Sequence, residues 1–153
     1  MTKRSLVRWF ALSFGLISEN ESRSTILDVL DAVFQFQVSE NYSPTTLELL
    51  ARLKGNQKRI DEKLLRYHLK RLIDVGLLER RKGKIFFVPD PTAERADIVR
   101  GFKFSVGGPL QDSVYGISVA LEKISEKYRE TKGLKMRENI HHSSKNTEEH
   151  LND

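Results

Sequence analysis

The sequence predicts a mainly α-helical protein with one small β-hairpin, bracketed by an N-terminal helix and a long C-terminal helix. Three observations carry that expectation. Apolar residues recur at helical spacing through most of the first 75 positions. The stretch "LLERRKGKIFFV", 77–88, changes to short runs of β-formers around one glycine. From Leu110 to Tyr128 the apolar positions step by 4, 3, 4, 3 and 4.

The totals narrow the class. A chain of 153 residues suits one domain with appendages, and 39% hydrophobic against 31% charged residues is an ordinary globular composition with a thin core. With no cysteine, disulfides and thiolate metal sites are excluded, and a reducing, cytoplasmic setting is the natural expectation. The start, "MTKRSLVRWFALSFGLIS", fits neither a signal peptide nor a membrane span. Arg8 interrupts its apolar run, no A-x-A-like site follows, and the run is too short to cross a bilayer. The N-x-S triplets at Asn20 and Asn41 carry no meaning in that setting.

The elements follow in order. Residues 5–17 read as a helix so broadly apolar that it must be covered on several sides, with Arg8, Ala11 and Gly15 on one narrow side. "SENESRS" is a polar break. "STILDVLDAVFQFQ" gives a second helix through Ile26, Leu27, Leu30, Val33 and Phe34, ended by "NYSP". Thr45 and Glu48 form a capping box that opens a third helix, with Leu49, Leu50 and Leu53 inward. "KGNQKR" turns out of it.

The fourth helix has Asp61 as N-cap and Gly76 as its stop. At about 100° per residue, Leu64, Leu65, His68, Leu69, Leu72 and Ile73 share one half. Lys63, Arg66, Tyr67, Lys70, Arg71 and Asp74 share the other. One half seals a core; the other shows four cations and an aromatic. Two strands follow, turned at Gly83 and ended by Pro89 and Pro91. A short helix is expected over about Thr92 to Gly101, then a break at "GFKFSVGGP", then a helix from about Leu110 to Lys132. Residues 133–153 are polar without a period and read as a disordered tail.

Charge is concentrated rather than spread. The net charge is +5 with a pI near 9.5. Between Arg52 and Lys84 twelve cations face four carboxylates, a local excess of eight, so the remainder is slightly negative. Such a patch is the footprint expected of a nucleic-acid face, although a merely solvated helix can produce one as well.

Three helices followed by a hairpin with a basic tip is the order of a winged helix-turn-helix, and "HLKRLIDVGLLERRKGKIFFV" resembles the recognition-helix-and-wing signature of winged-helix transcription regulators of the ArsR, MarR and PadR kind. In those families an "HLxxL…GLL" run precedes a basic hairpin and an aromatic strand. The resemblance spans residues 24–90. It implies that residues 61–75 enter the major groove of double-stranded DNA, that the hairpin lies on the backbone or minor groove, and that the protein is a homodimer. PadR-like proteins pack a C-terminal helix on the partner's N-terminal helix. The absence of cysteine means that ArsR-type thiolate metal sensing does not carry over.

The expected organisation is therefore an N-terminal helix at 1–22, likened to a dimer contact; a DNA-binding domain at 23–90; a linker helix and heptad-like dimerisation helix at 91–132; and the tail at 133–153. The candidate DNA-binding residues are Lys58, Arg59, Lys63, Arg66, Tyr67, Lys70, Arg71, Arg80, Arg81, Lys82 and Lys84. Arg and Lys on the helix can read guanine edges, Tyr67 can reach a phosphate or thymine methyl, and the hairpin cations neutralise phosphates. The candidate dimer contacts are Leu6, Trp9, Phe10 and Phe14 in the first helix and Leu110, Val114, Ile117, Leu121, Ile124 and Tyr128 in the last.

The expected function is thus a homodimeric DNA-binding transcriptional regulator. Its rivals are an architectural DNA binder of weak sequence preference and a winged helix that assembles with protein. His68, on the apolar half, reads as a hydrogen-bonded core histidine. His141, His142 and His150 lie in the tail with no expected metal shell. Gly107-Gly108 has no following G-K-[ST], so it is no phosphate cradle. No catalytic constellation stands out, so no enzyme, metal or cofactor is expected; a small-molecule effector is left open.

Overall fold

A computed structural model describes the backbone of residues 1–20, 24–94 and 97–151, and side chains as far as residue 143. The chain divides into two units, Met1–Gly108 and Pro109–Asp153. The protein is mainly helical, with a two-stranded antiparallel hairpin and a long C-terminal helix.

In the first unit α1 spans Lys3–Ser13, capped by the Thr2 hydroxyl, which accepts from the Ser5 amide at 3.1 Å. It stops earlier than the apolar run predicts. Gly15 takes φ +77°, a left-handed conformation suited to glycine, so Leu16 and Ile17 leave the helix and drop into the core. Helix α2, Thr25–Phe34, is the centre of the unit: Ile26, Leu27, Val29, Leu30, Ala32 and Val33 are all fully buried. Its end widens into a π-helical turn, Gln35–Ser39, where the Glu40 amide donates to the Gln35 carbonyl at 3.2 Å. The polar break lies partly outside the described residues, at 21–23.

Helix α3, Thr46–Gly55, has both halves of its expected capping box, Thr45 and Glu48 each bonding the other's amide. Helix α4, Glu62–Asp74, starts at Asp61, whose carboxylate accepts from the Leu64 amide at 2.8 Å. It ends against Gly76 at φ +82°. Only Val75, Gly76 and Leu77 separate it from β1, Leu78–Arg81, which pairs antiparallel with β2, Lys84–Phe87. The two turn residues, Lys82 and Gly83, both have positive φ (+51° and +76°), the twist-matched geometry of a two-residue hairpin. Leu78, Ile85 and Phe87 point inward and are buried. A bridge between Thr45 and Lys84, with the Ile85 amide donating to the Pro44 carbonyl at 2.8 Å, adds a third short rung and ties the hairpin to the start of α3.

Beyond the hairpin the structure departs from expectation. The short helix, α5, is Ile98–Phe102, capped by Asp97; the expected span also includes 95–96, outside the described residues. The break expected at 101–109 is instead helical, a π turn over Lys103–Gly107 leading to Gly108. Gly101 is there for packing, not for a turn. A Cβ on it would lie 2.0 Å from the Val88 carbonyl oxygen, so α5 can approach the end of β2 only with glycine at this point.

The second unit is helical. Helix α6 runs Gly108–Leu151, so the backbone over 133–151 is helix where a disordered tail was expected. That segment has no proline, and "LKMRE" is a run of good helix formers, whose local preference the lack of an apolar period does not cancel. Residues 152–153 of the expected tail, and the His150 side chain, lie outside the described residues.

Candidate nucleic-acid interface

The division of α4 holds in space, though less sharply than around the wheel, since Leu64 and Ile73 of the apolar half are only half-buried. Leu65, His68, Leu69 and Leu72 are buried, whereas Lys63, Arg66, Tyr67, Lys70 and Asp74 are exposed and Arg71 is half-buried. His68 fills a structural role. Its Nε2 lies 2.7 Å from the Thr25 hydroxyl, linking α4 to α2, while its buried Nδ1 has no partner among the described residues. Burial and then the nearby Arg71 charge hold its pKa below the ordinary histidine value.

The eleven candidate DNA-binding residues separate by what they already hold. Arg66 donates to Glu62 through Nε and Nη2 at 2.9 and 2.7 Å, and the Lys70 ammonium lies 2.7 Å from Asp74, which raises its pKa. Arg81 pairs with Glu79 at 2.7 Å and stands over the Phe86 ring. Lys58 lies 3.4 Å from Asp28, which Arg4 of α1 also holds at 2.8 Å. Arg80 donates to the Thr46 hydroxyl at 3.3 Å. Lys84 sits 4.9 Å from the centre of the Tyr42 ring and 3.3 Å from its hydroxyl. Arg59, Lys63, Arg71 and Lys82 have no ion pair among the described residues.

Two of these partners were legible at sequence level and passed over. Glu62 stands four residues before Arg66, and Asp74 four after Lys70, the spacing at which helix side chains meet. Tyr42 could not be read that way: "NYSP" marks only a helix end, and the distance of 42 residues to Lys84 closes through the tertiary fold.

At the hairpin tip Arg81 and Lys84 are directly paired across the strands, with Lys82 between them at the turn. Like charges facing each other across a hairpin destabilise it. Three cations within four residues, with one carboxylate to share, is an arrangement that an anion would relieve.

The candidate dimer residues also divide. Phe10 of α1 and Phe14, just past its end, pack within their own chain. Their rings stack at 5.8 Å, and both meet Phe102 edge-on, at 6.4 and 5.8 Å, while Phe10 also meets Phe34 at 6.2 Å. Val7 and Ala11 are buried beside them, so the narrow side expected to hold Arg8, Ala11 and Gly15 includes a buried position, Ala11. Leu6 and Trp9 are exposed, and Leu6 lines an open groove of about 370 Å³ with Val7, Phe10, Phe34 and Val38. In α6, all six heptad positions, Leu110, Val114, Ile117, Leu121, Ile124 and Tyr128, are exposed, from 51% to 75%.

Among the described residues no three metal-ligating side chains come together, and no helix is long and apolar enough to cross a membrane. Compared with known proteins, the chain matches no family model, no curated protein and no solved structure.

Proposed function

We propose that this protein is a cytoplasmic, homodimeric transcriptional regulator whose winged helix-turn-helix domain binds double-stranded DNA, α4 entering the major groove and the β1–β2 wing lying on the backbone. The observation that carries the reading is the exposed half of α4. It presents Lys63, Arg66, Tyr67, Lys70 and Arg71 opposite an apolar half, and three residues later the chain enters a hairpin whose tip carries facing like charges. The order of elements supports it: α2, the rung at Thr45, α3, α4, and the hairpin.

The internal ion pairs are only a weak competitor of DNA binding. Exposed pairs of this kind contribute little in water. Exchanging a carboxylate for a phosphate, with release of counterions from the duplex, favours the complex at moderate salt. The homodimer rests on the α6 stripe, in which six apolar side chains at coiled-coil spacing are exposed in the single chain. No cofactor, metal or enzymatic step enters this reading.

Selection of bound sites from random duplex DNA, with the solution mass measured alongside, tests it. The expected result is an inverted repeat with half-sites about 10 base pairs apart, or a multiple, bound by a dimer. Binding without preference would support an architectural role, and no binding would support a protein-assembly module.

A further inference from the structure

The exposed half of α4 is not one uniform cationic surface. It consists of two rows, each with residues four apart. Glu62, Arg66, Lys70 and Asp74 form the first, and each of its cations already holds the carboxylate at its own end of the row. That row is electrically balanced. Lys63, Tyr67 and Arg71 form the second; it contains no carboxylate, and neither cation has an ion pair among the described residues. At about 100° per residue the two rows lie roughly 80° apart around the helix, so a groove cannot be centred on both.

We infer that Lys63, Tyr67 and Arg71 determine the DNA sequence this protein prefers, and that Glu62 and Asp74 hold Arg66 and Lys70 away from the base edges. The inference rests on the DNA-binding reading above and deepens it. Centring the first row on the groove floor would press two carboxylates toward the bases and into the negative potential of the duplex. Centring the second row brings two unpaired cations and one aromatic, with a single carboxylate, Asp74, on that side at the last turn of the helix, where Lys70 neutralises it. Arg71 has the planar fork that meets guanine O6 and N7 together, and Lys63 can donate to the same acceptors. Arg71 is half-buried, so its stem is braced by the domain and less rotational freedom is lost on contact. Tyr67 is 62% exposed, its ring edge-on to His68 at 5.6 Å, so its ring is available to a thymine methyl or its hydroxyl to a phosphate.

Three double variants of the full chain test this on the duplex selected from a random pool and on an unrelated duplex, across a salt series. K63A/R71A is expected to lose roughly 10- to 100-fold on the selected duplex and most of its preference. R66A/K70A is expected to keep the preference, with both affinities falling together by less than about tenfold. E62Q/D74N, which frees Arg66 and Lys70, is expected to tighten binding to the unrelated duplex and steepen the salt dependence. Five of the six positions are exposed and Arg71 is half-buried, and thermal melting checks that each variant is folded. If R66A/K70A abolishes the preference while K63A/R71A retains it, the assignment is overturned and DNA binding stands. If the unmodified protein binds neither duplex, the DNA reading falls and takes the assignment with it.

Discussion

Helices α1 and α6 begin from the same sequence property and end differently. Both carry more apolar surface than a solvent-facing helix needs, and both suggested a subunit contact. In the structure α1 packs on α2 with Val7 and Ala11 buried, and Phe10, with Phe14 just past the helix end, joins an aromatic cluster with Phe34 and Phe102. The apolar stripe of α6 has 51% to 75% exposure at every heptad position. Apolar excess on a helix therefore shows that it requires a cover; it does not identify the cover. For α1 that cover is largely its own chain. For α6 the proposal is a second copy.

The largest expected effect attacks the cover of α1. Gly101→Ala would drive a methyl into the Val88 carbonyl, push α5 off β2, and withdraw Phe102 from Phe10 and Phe14. We expect a loss of about 3 kcal/mol by thermal or denaturant unfolding. A cost under about 1 kcal/mol would mean that α5 is not tightly seated.

Next comes the corresponding test on α6. Ile117→Asp with Leu121→Asp should raise the dimer dissociation constant by roughly 100-fold or more, read by sedimentation. Unfolding of the monomeric Met1–Gly108 unit should be unchanged. An unmodified protein that is strictly monomeric would remove the heptad reading before any substitution is made.

Within α1 the comparison can be sharpened by neighbours. Phe10→Ala should cost roughly 2 kcal/mol, because its ring is half-buried in the aromatic cluster. Trp9→Ala, whose ring is 64% exposed, should cost less than about 0.5 kcal/mol. Equal effects would show that Trp9 has a cover of its own, such as a partner subunit.

The smallest effect is pH-dependent and belongs to the first unit. Burial and Arg71 lower the His68 pKa in the folded state. The unfolded chain takes up the proton near pH 6.5, so acidification favours unfolding. Stability should be complete above that pH and decline as pH falls through and below it. His68→Gln, which can still bond Thr25, should flatten the decline in a series of melts between pH 5 and about pH 7.5. An unchanged slope would assign the acid sensitivity to other groups.

Much of the framework was legible without coordinates, and always for local reasons. The Thr45–Glu48 capping box, the Asp61 cap, the Gly76 stop and the turn at Gly83 each depend on atoms within about four residues along the chain. The two-faced character of α4 follows from its period alone. The pairs Glu62–Arg66 and Lys70–Asp74 were equally local, and that spacing could have divided the candidate DNA surface at the outset.

Other features needed the fold. The π turn at the end of α2 comes with Phe36 tucked between Arg52, 3.9 Å above its ring, and Tyr42. Gly107 and Gly108 looked like a linker, but glycine tolerates helix as well as turn, and in the structure both lie in helical backbone. The sequence by itself determined where α3 and α4 start, which face of α4 is apolar, and where positive charge concentrates, because periodicity and capping act over a few residues. Only the tertiary structure decided that α1 is covered by its own aromatic cluster, that Lys58 shares Asp28 with Arg4, and that His68 bonds Thr25 from 43 residues away. Those contacts join segments that the chain must fold to bring together, and no local pattern encodes which segment will arrive.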